Sequence, residues 1–207
     1  MKKFFTSISL QKTDLDVLHY YAVGNSKLQL EEDEKVSYPI LTAVNGYVQP
    51  GEDFKLIAVM TDKEETRRNL EVLRGQLTEL CSRKGFVCPK DVEVVLIEDD
   101  QNVSTHVGTF RKLLDYVDDG DELFSCMTFG TKPLAQAMML AVQYAYRVKR
   151  NASISCIVYG EVDRFASPKA ARVYDMTALI QMDEIVHMLA QRGISDPKAA
   201  LDSLLAL

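Results

Sequence analysis

Leu123-Phe124-Ser125-Cys126-Met127-Thr128-Phe129-Gly130-Thr131-Lys132-Pro133 is the stretch on which the fold turns. Its first half, Leu123 to Thr128, is a short apolar run of the kind expected for a strand covered on both faces. Gly130 then permits a sharp turn, Thr131 suits a helix N-cap, and Pro133 suits the first helical turn. The following segment, Pro133 to Val148, is apolar nearly all round through Leu134, Ala137, Met138, Leu140, Ala141, Val142, Ala145 and Val148. This pattern predicts a central, buried helix.

The same alternation extends in both directions. Upstream, Phe54 to Met60 is an apolar run interrupted only by Lys55, hence a strand. Asp62 and Glu65 form a capping box for a helix with apolar positions Leu70, Leu73, Leu77, Leu80 and Cys81, stopped at Gly85. Val92 to Ile97 is a further strand, and Val103, Val107, Phe110, Leu114 and Val117 mark an amphipathic helix halted at Asp118-Asp119-Gly120. Downstream come a strand over Ile154 to Tyr159, a short strand over Val173 to Met176, and helices over Leu179 to Gln191 and Pro197 to Leu205.

The beginning of the chain is less regular. Lys3 to Leu10 reads as the first strand, and Asp14 to Tyr21 and Lys27 to Leu30 flank the turn dipeptide Gly24-Asn25 as a small β-hairpin. Glu31 to Glu34 reads as a solvated acidic loop, and Pro39 to Val48 as a helix broken by Gln49-Pro50-Gly51. Strands alternating with helices predict an α/β, Rossmann-like domain over residues 1–207. Its sheet is mostly parallel, with helices on both faces and a small β-hairpin after strand one. The helices over 179–207 are left to pack on this domain or on a partner.

The net charge of −6 over 207 residues argues against duplex nucleic acid, which needs a basic face, but leaves room for one local anion site. Cys81, Cys88, Cys126 and Cys156 contain no Cys-x-x-Cys pair, so reduced thiols in a cytoplasmic protein are expected. His19, His106 and His187 lack metal-ligand spacing, no cofactor is implied, and no run is long enough for a membrane span. Phe4-Phe5 after Lys2-Lys3 is broken by Thr6, Ser7 and Ser9 too soon for a signal peptide.

In open parallel sheets, ligands gather outside the carboxyl ends of the strands. The Thr128 to Pro133 turn is the strongest candidate. The helix start it forms offers free N–H groups and positive potential, and Lys132 adds a cation where cations cost about 0.3 to 1 kcal/mol. Either Lys132 points to solvent or an anion such as a phosphate offsets it. Thr6, Ser7, Ser9, Gln11 and Lys12 leave the first strand, where hydroxyls bind phosphate or ribose oxygens or simply cap a loop. Tyr159, Arg164 and Lys169 belong to the loop after the fifth strand and either reach the same crevice or form ordinary surface. Glu98-Asp99-Asp100 is a solvated loop or, with partners, a Mg²⁺ site. Met138-Met139, Tyr144 and Tyr146 read as core or subunit contact.

Met127 to Leu134, with its Gly130-Thr131-Lys132 motif, followed by the apolar helix and Ile157-Val158-Tyr159-Gly160, resembles the CRISPR-associated Rossmann-fold (CARF) family. The likeness is to members found as type III CRISPR ancillary proteins. Tyr174-Asp175-Met176-Thr177 leading into a helix also fits that group. The resemblance implies a homodimer that binds a cyclic oligoadenylate second messenger across its two-fold axis in antiviral signalling. The ligand contacts it implies are Thr6, Ser7 and Ser9, then Thr128, Gly130, Thr131 and Lys132, with Tyr159 and Arg164 beside them. Some members cleave the ring slowly without metal, which implies catalytic roles for Lys132 and Ser9, and a dedicated ring nuclease is the alternative. A module unrelated to this family, binding a mononucleotide or a structural partner, is the alternative from another class; Gly-x-Gly-x-x-Gly is absent after strand one. Most members carry an effector, yet Arg192 has Pro197 five residues on, not the His of the HEPN ribonuclease pattern.

Overall fold

A computed structural model describes residues 1–205. Strands β1 (Lys2–Ser7), β2 (Tyr20–Val23), β3 (Phe54–Thr61), β4 (Glu93–Ile97), β5 (Glu122–Cys126), β6 (Ser153–Asp163) and β7 (Ala170–Asp175) form one seven-stranded sheet in the order β2-β7-β6-β5-β1-β3-β4. The central pairs β1·β3, β1·β5, β3·β4 and β5·β6 are parallel. β7 returns antiparallel to β6, and β2 runs parallel to β7. The architecture is α/β and Rossmann-like.

Adjacent residues of the central strands enter different cores, because side chains alternate across a strand. Phe4, Leu56, Ala58, Phe124, Cys156 and Val158 join one core, which α1 (Ile40–Tyr47) and α2 (Glu64–Lys84) cover through residues such as Leu41, Val44, Leu73 and Leu77. Phe5, Ile57, Val59, Leu123 and Ile157 join the other. That face is covered by α3 (Val103–Leu114) through Leu113 and by α4 (Lys132–Val148) through Met138, Val142 and Ala145. α5 (Thr177–Gln191) lays Ile180 against this second core, and α6 (Pro197–Leu205) follows it. Phe4 stacks on Phe124 at 4.3 Å and meets Phe54 edge-on at 5.7 Å, which ties β1 to both neighbours.

Several local readings are corrected. The expected hairpin after strand one does not form: Ser26–Leu28 is a 3-10 turn capped by Asn25, and β2 pairs with β7 instead. Pairing with the distant Ala171 to Tyr174 outweighs the local turn signal. The α2 start lies one residue later than the Asp62/Glu65 box, with Lys63 N–H donating to Thr66 Oγ1 at 3.1 Å, while Asp62 takes Arg67 at 2.6 Å. Glu34, in the run read as solvated, is 2% exposed and paired with Arg83 at 2.9 Å. The residues after Tyr159 continue β6 to Asp163 rather than entering a loop. α4 is not buried all round either, since Leu140 is 45% and Val148 58% exposed.

Candidate functional site

The carboxyl ends of β1 and β5 lie side by side and their loops are cross-tied. Ser7 Oγ–H donates to Phe129 O at 2.5 Å, joining the end of β1 to the turn before α4. Gly130 occupies that turn at φ +86°, with the position of an added Cβ only 3.0 Å from Ser7 Oγ and from Leu134 Cδ2. Glycine takes this conformation without strain, and any added Cβ would oblige Ser7 or Leu134 to shift. Thr131 Oγ1 then caps α4 by accepting from Leu134 N at 3.4 Å. Thr128 Oγ1 accepts from Gly160 N at 2.8 Å, which fixes the turn to β6. Beneath it, burial pushes the Cys126 thiol up from its ordinary pKa, keeping it protonated and unreactive.

The loop after β1 is held from α2 by two residues that sequence reasoning missed. Asn69 Nδ2 donates to Ser9 O and Gln11 O, both at 2.9 Å, and Arg68 Nη2 donates to Gln11 O at 3.0 Å and Thr13 O at 2.9 Å. Side chains that serve backbone carbonyls of a distant loop leave no local sequence pattern. Tyr38, packed edge-on against Phe129 at 5.2 Å, donates its hydroxyl to Asn69 O at 3.0 Å and closes the support from below.

Between these loops opens a polar cleft of about 650 Å³. Ser9, Gln11 and Thr13 line it from the β1 side, Thr128 to Gly130 from the β5 side, and Arg164 and Lys169 from the β6–β7 turn. Asp14 and Asp16 also line it, and Asp16 pairs with Lys169 at 2.7 Å. The residues singled out from sequence divide accordingly. Ser9, Thr128, Gly130 and Arg164 meet in the cleft. Thr6 and Ser7 are 1% exposed and spend their hydroxyls on Ser7 O and Phe129 O, so they build the site's frame. Tyr159 lies within β6 against Tyr174, ring centroids 6.3 Å apart, outside the cleft lining. Lys132 is exposed at the first turn of α4, also outside that lining, and makes no ion pair among the described residues. The two acidic wall residues were missed because Asp14 and Asp16 were read as part of a hairpin. A polar run Gln11-Lys12-Thr13-Asp14 directly after a strand was the available signal.

Ser9 Oγ accepts the Gln11 N–H at 3.2 Å. Asp99 is paired with Lys63 at 2.5 Å, and Asp100 accepts from Asn102 N at 2.7 Å. Among the described residues no three His, Cys, Asp or Glu side chains converge as metal ligands. No helix of the described residues is long and apolar enough to cross a membrane.

These features define a Rossmann-like α/β protein with a polar, open cleft at the carboxyl edge of its sheet, bounded by a capped helix N-terminus. No protein-family model matches the chain, and a comparison with curated proteins finds no significant match.

Proposed function

We propose that this protein is a homodimeric sensor of cyclic oligoadenylate in type III CRISPR signalling. The observation that carries the reading is the unpaired Lys132 at the N-terminus of α4, beside a cleft able to take the rest of a small ligand. A cation at the electropositive end of a helix is offset by a bound anion, and the helix N–H groups favour phosphate. The likeness of Met127 to Leu134 and of the later strand–helix segment to the CARF family supplies the particular anion, a ring of 3′–5′ linked adenylates. Arg164, Ser9, Thr128 and Gly130 are the ligand contacts proposed within the cleft, with Thr131 and Lys132 following Gly130 at the start of α4.

The test is calorimetric titration of the protein with cyclic tri-, tetra- and hexa-adenylate, with parallel chromatography for linear products in the absence of metal. One ring size is expected to bind and remain intact. A ligand at about 100 times its Kd stabilises by about 2.7 kcal/mol, a rise of about 5–11 °C for a chain of this size. Absence of both heat and thermal shift with all three rings refutes the ligand. Linear products replace the sensor by a nuclease.

A further inference from the structure

Asp14 and Asp16 stand in the wall of the polar cleft together with Arg164 and Lys169. Asp16 is spent on Lys169 at 2.7 Å. Asp14 and Arg164 are exposed, and neither makes an ion pair among the described residues. At Asp14 the backbone carbonyl accepts from Gln11 Nε2 at 2.7 Å, and the carboxylate is left without a hydrogen bond among the described residues. Two opposite charges thus line one cleft without meeting. A phosphate would satisfy Arg164 but be repelled by Asp14. Phe165 is a second, independent observation. It follows Arg164 in the turn between β6 and β7 and is 101% exposed. The turn that carries it is well tied: Asp163 Oδ1 accepts from Phe165 N at 2.9 Å and Ala166 N at 3.2 Å, and Lys169 fastens its far limb to Asp16. A phenyl ring held in water beside a polar cleft offers a phosphate nothing.

We propose that the cleft is a nucleobase subsite selective for an amino-bearing base, in which Phe165 covers the face of the base and the Asp14 carboxylate accepts its exocyclic N–H. The inference rests on the preceding reading for the ligand's phosphates and names what the cleft itself recognises. Nucleobases stack on aromatic side chains and are read by hydrogen bonds along their edges. Adenine sets its N6 amine, a donor, next to the acceptor N7. The amine answers Asp14 and the ring nitrogen answers Arg164, so one edge serves both unpaired charges. Hypoxanthine puts a carbonyl oxygen where adenine has the amine, and an ionised carboxylate has no proton to give it. At about 650 Å³ the cleft lies within the roughly 300–1,000 Å³ of small-molecule sites.

The experiment is calorimetric titration of the full chain with cyclic tri-, tetra- and hexa-adenylate and with the matching cyclic inosinates, which keep the ring and its phosphates and exchange the amine for a carbonyl. The wild type is expected to prefer the adenylate by about 10-fold or more, the worth of a hydrogen bond to a charged group. Asp14→Asn, whose amide both donates and accepts, should lose most of that preference while still binding the inosinate. Phe165→Ala should weaken both rings by about 5–150-fold with the preference kept, the range for removing an aromatic ring from a stacked base, and Phe165→Tyr should restore the affinity. Both positions are exposed, so circular dichroism should show native folding. A wild type that binds adenylate and inosinate alike, or a Phe165→Ala variant as tight as the wild type, overturns the base subsite and leaves the cyclic ligand standing. A wild type that binds no ring refutes the cyclic ligand, and 5′-AMP against 5′-IMP then decides the subsite. The same preference for the amine, lost in Asp14→Asn, supports it; equal binding, or none, overturns it.

Discussion

Replacing Gly130 by alanine tests the geometry on which the site depends. The residue sits at φ +86°, where an L side chain costs about 1–2 kcal/mol of backbone strain. Its new Cβ would also lie 3.0 Å from Leu134 Cδ2 and Ser7 Oγ and 3.2 Å from Ser7 Cβ, so Ser7 must move. Moving it weakens the bond from Ser7 Oγ–H to Phe129 O, and a typical hydrogen bond contributes about 1 kcal/mol net. The sum is about 2–3 kcal/mol, or a fall of about 4–12 °C in Tm for a protein of this length. Gly24→Ala supplies the control, because φ is +82° there and nothing lies within 4 Å of the added carbon. It should cost the strain alone, about 1–2 kcal/mol. Urea unfolding of both variants, with calorimetric scans, separates strain from crowding. Equal losses in the two variants, or a loss below about 0.5 kcal/mol in Gly130→Ala, would refute the tight crossing of the β1 end and the α4 turn.

Asp121→Ala should destabilise by about 3 kcal/mol in urea unfolding. The Lys3 ammonium, 2.7 Å from Asp121 in a 4% exposed residue, would keep only the exposed Asp118 as partner. Stability should also fall in acid. The Lys3 hydrogen bond holds the Asp118 carboxyl below its ordinary pKa, so its contribution is complete above the unfolded value near 3.9 and vanishes as pH drops through the lower folded value. At the alkaline end, burial lowers the Lys3 pKa but the bonds to Asp118 and Asp121 outweigh it and leave it raised. That contribution is complete below the unfolded lysine pKa and is lost as pH rises through the folded one. A urea midpoint unchanged from pH 6 to pH 3 would contradict the acid arm. Thr128→Val leaves the Gly160 N–H without its 2.8 Å acceptor and should cost about 1–3 kcal/mol, read by the same unfolding curves.

What the sequence disclosed follows the range of the forces involved. Gly85 at φ +69° and Thr131 before α4 end and begin helices by local chemistry, and both are legible from neighbouring residues. The strands β3 and β5 announce themselves because burial on both faces demands mostly apolar runs, Leu56 to Met60 in one and Leu123-Phe124 with Cys126 in the other. β2 does not, since Tyr20-Tyr21-Ala22-Val23 acquires its role only by pairing with Ala171 to Tyr174. The antiparallel return of β7 on β6 is likewise invisible, because Glu161 and Asp163 sit where strand propensity is low and cross-strand pairing decides. At the site, Ser9, Thr128, Gly130 and Arg164 were legible as strand-end residues. The bond from Ser7 to the carbonyl of Phe129 was not legible, because a hydroxyl at a strand end looks the same whether it meets a ligand or a backbone carbonyl.

The charges around the cleft define the part Lys132 plays in the proposed anion binding. Inside the cleft two cations, Arg164 and Lys169, face two carboxylates, Asp14 and Asp16, so the interior offers a polyanion no net attraction. Outside that lining, the exposed Lys132 at the start of α4 makes no ion pair among the described residues, and the helix start adds positive potential to it. On the proposed reading, the phosphates would bind at Lys132 and the helix start, and the less charged parts of the ligand in the cleft. Lys132→Ala should weaken binding by about 1.5–3 kcal/mol per charge-assisted contact while leaving the fold intact and, because a cation is unfavourable at a helix start, slightly raising the Tm of the ligand-free protein. It should also remove most of the salt dependence of affinity, because an exposed charge is screened over roughly 10 Å at 0.1 M salt. Arg164→Ala should lower affinity with little change in that dependence. Calorimetric titrations of the ring at two salt concentrations separate the two effects. If the salt slope follows Arg164 instead, the phosphates sit inside the cleft, and the helix start has been assigned a role it does not have.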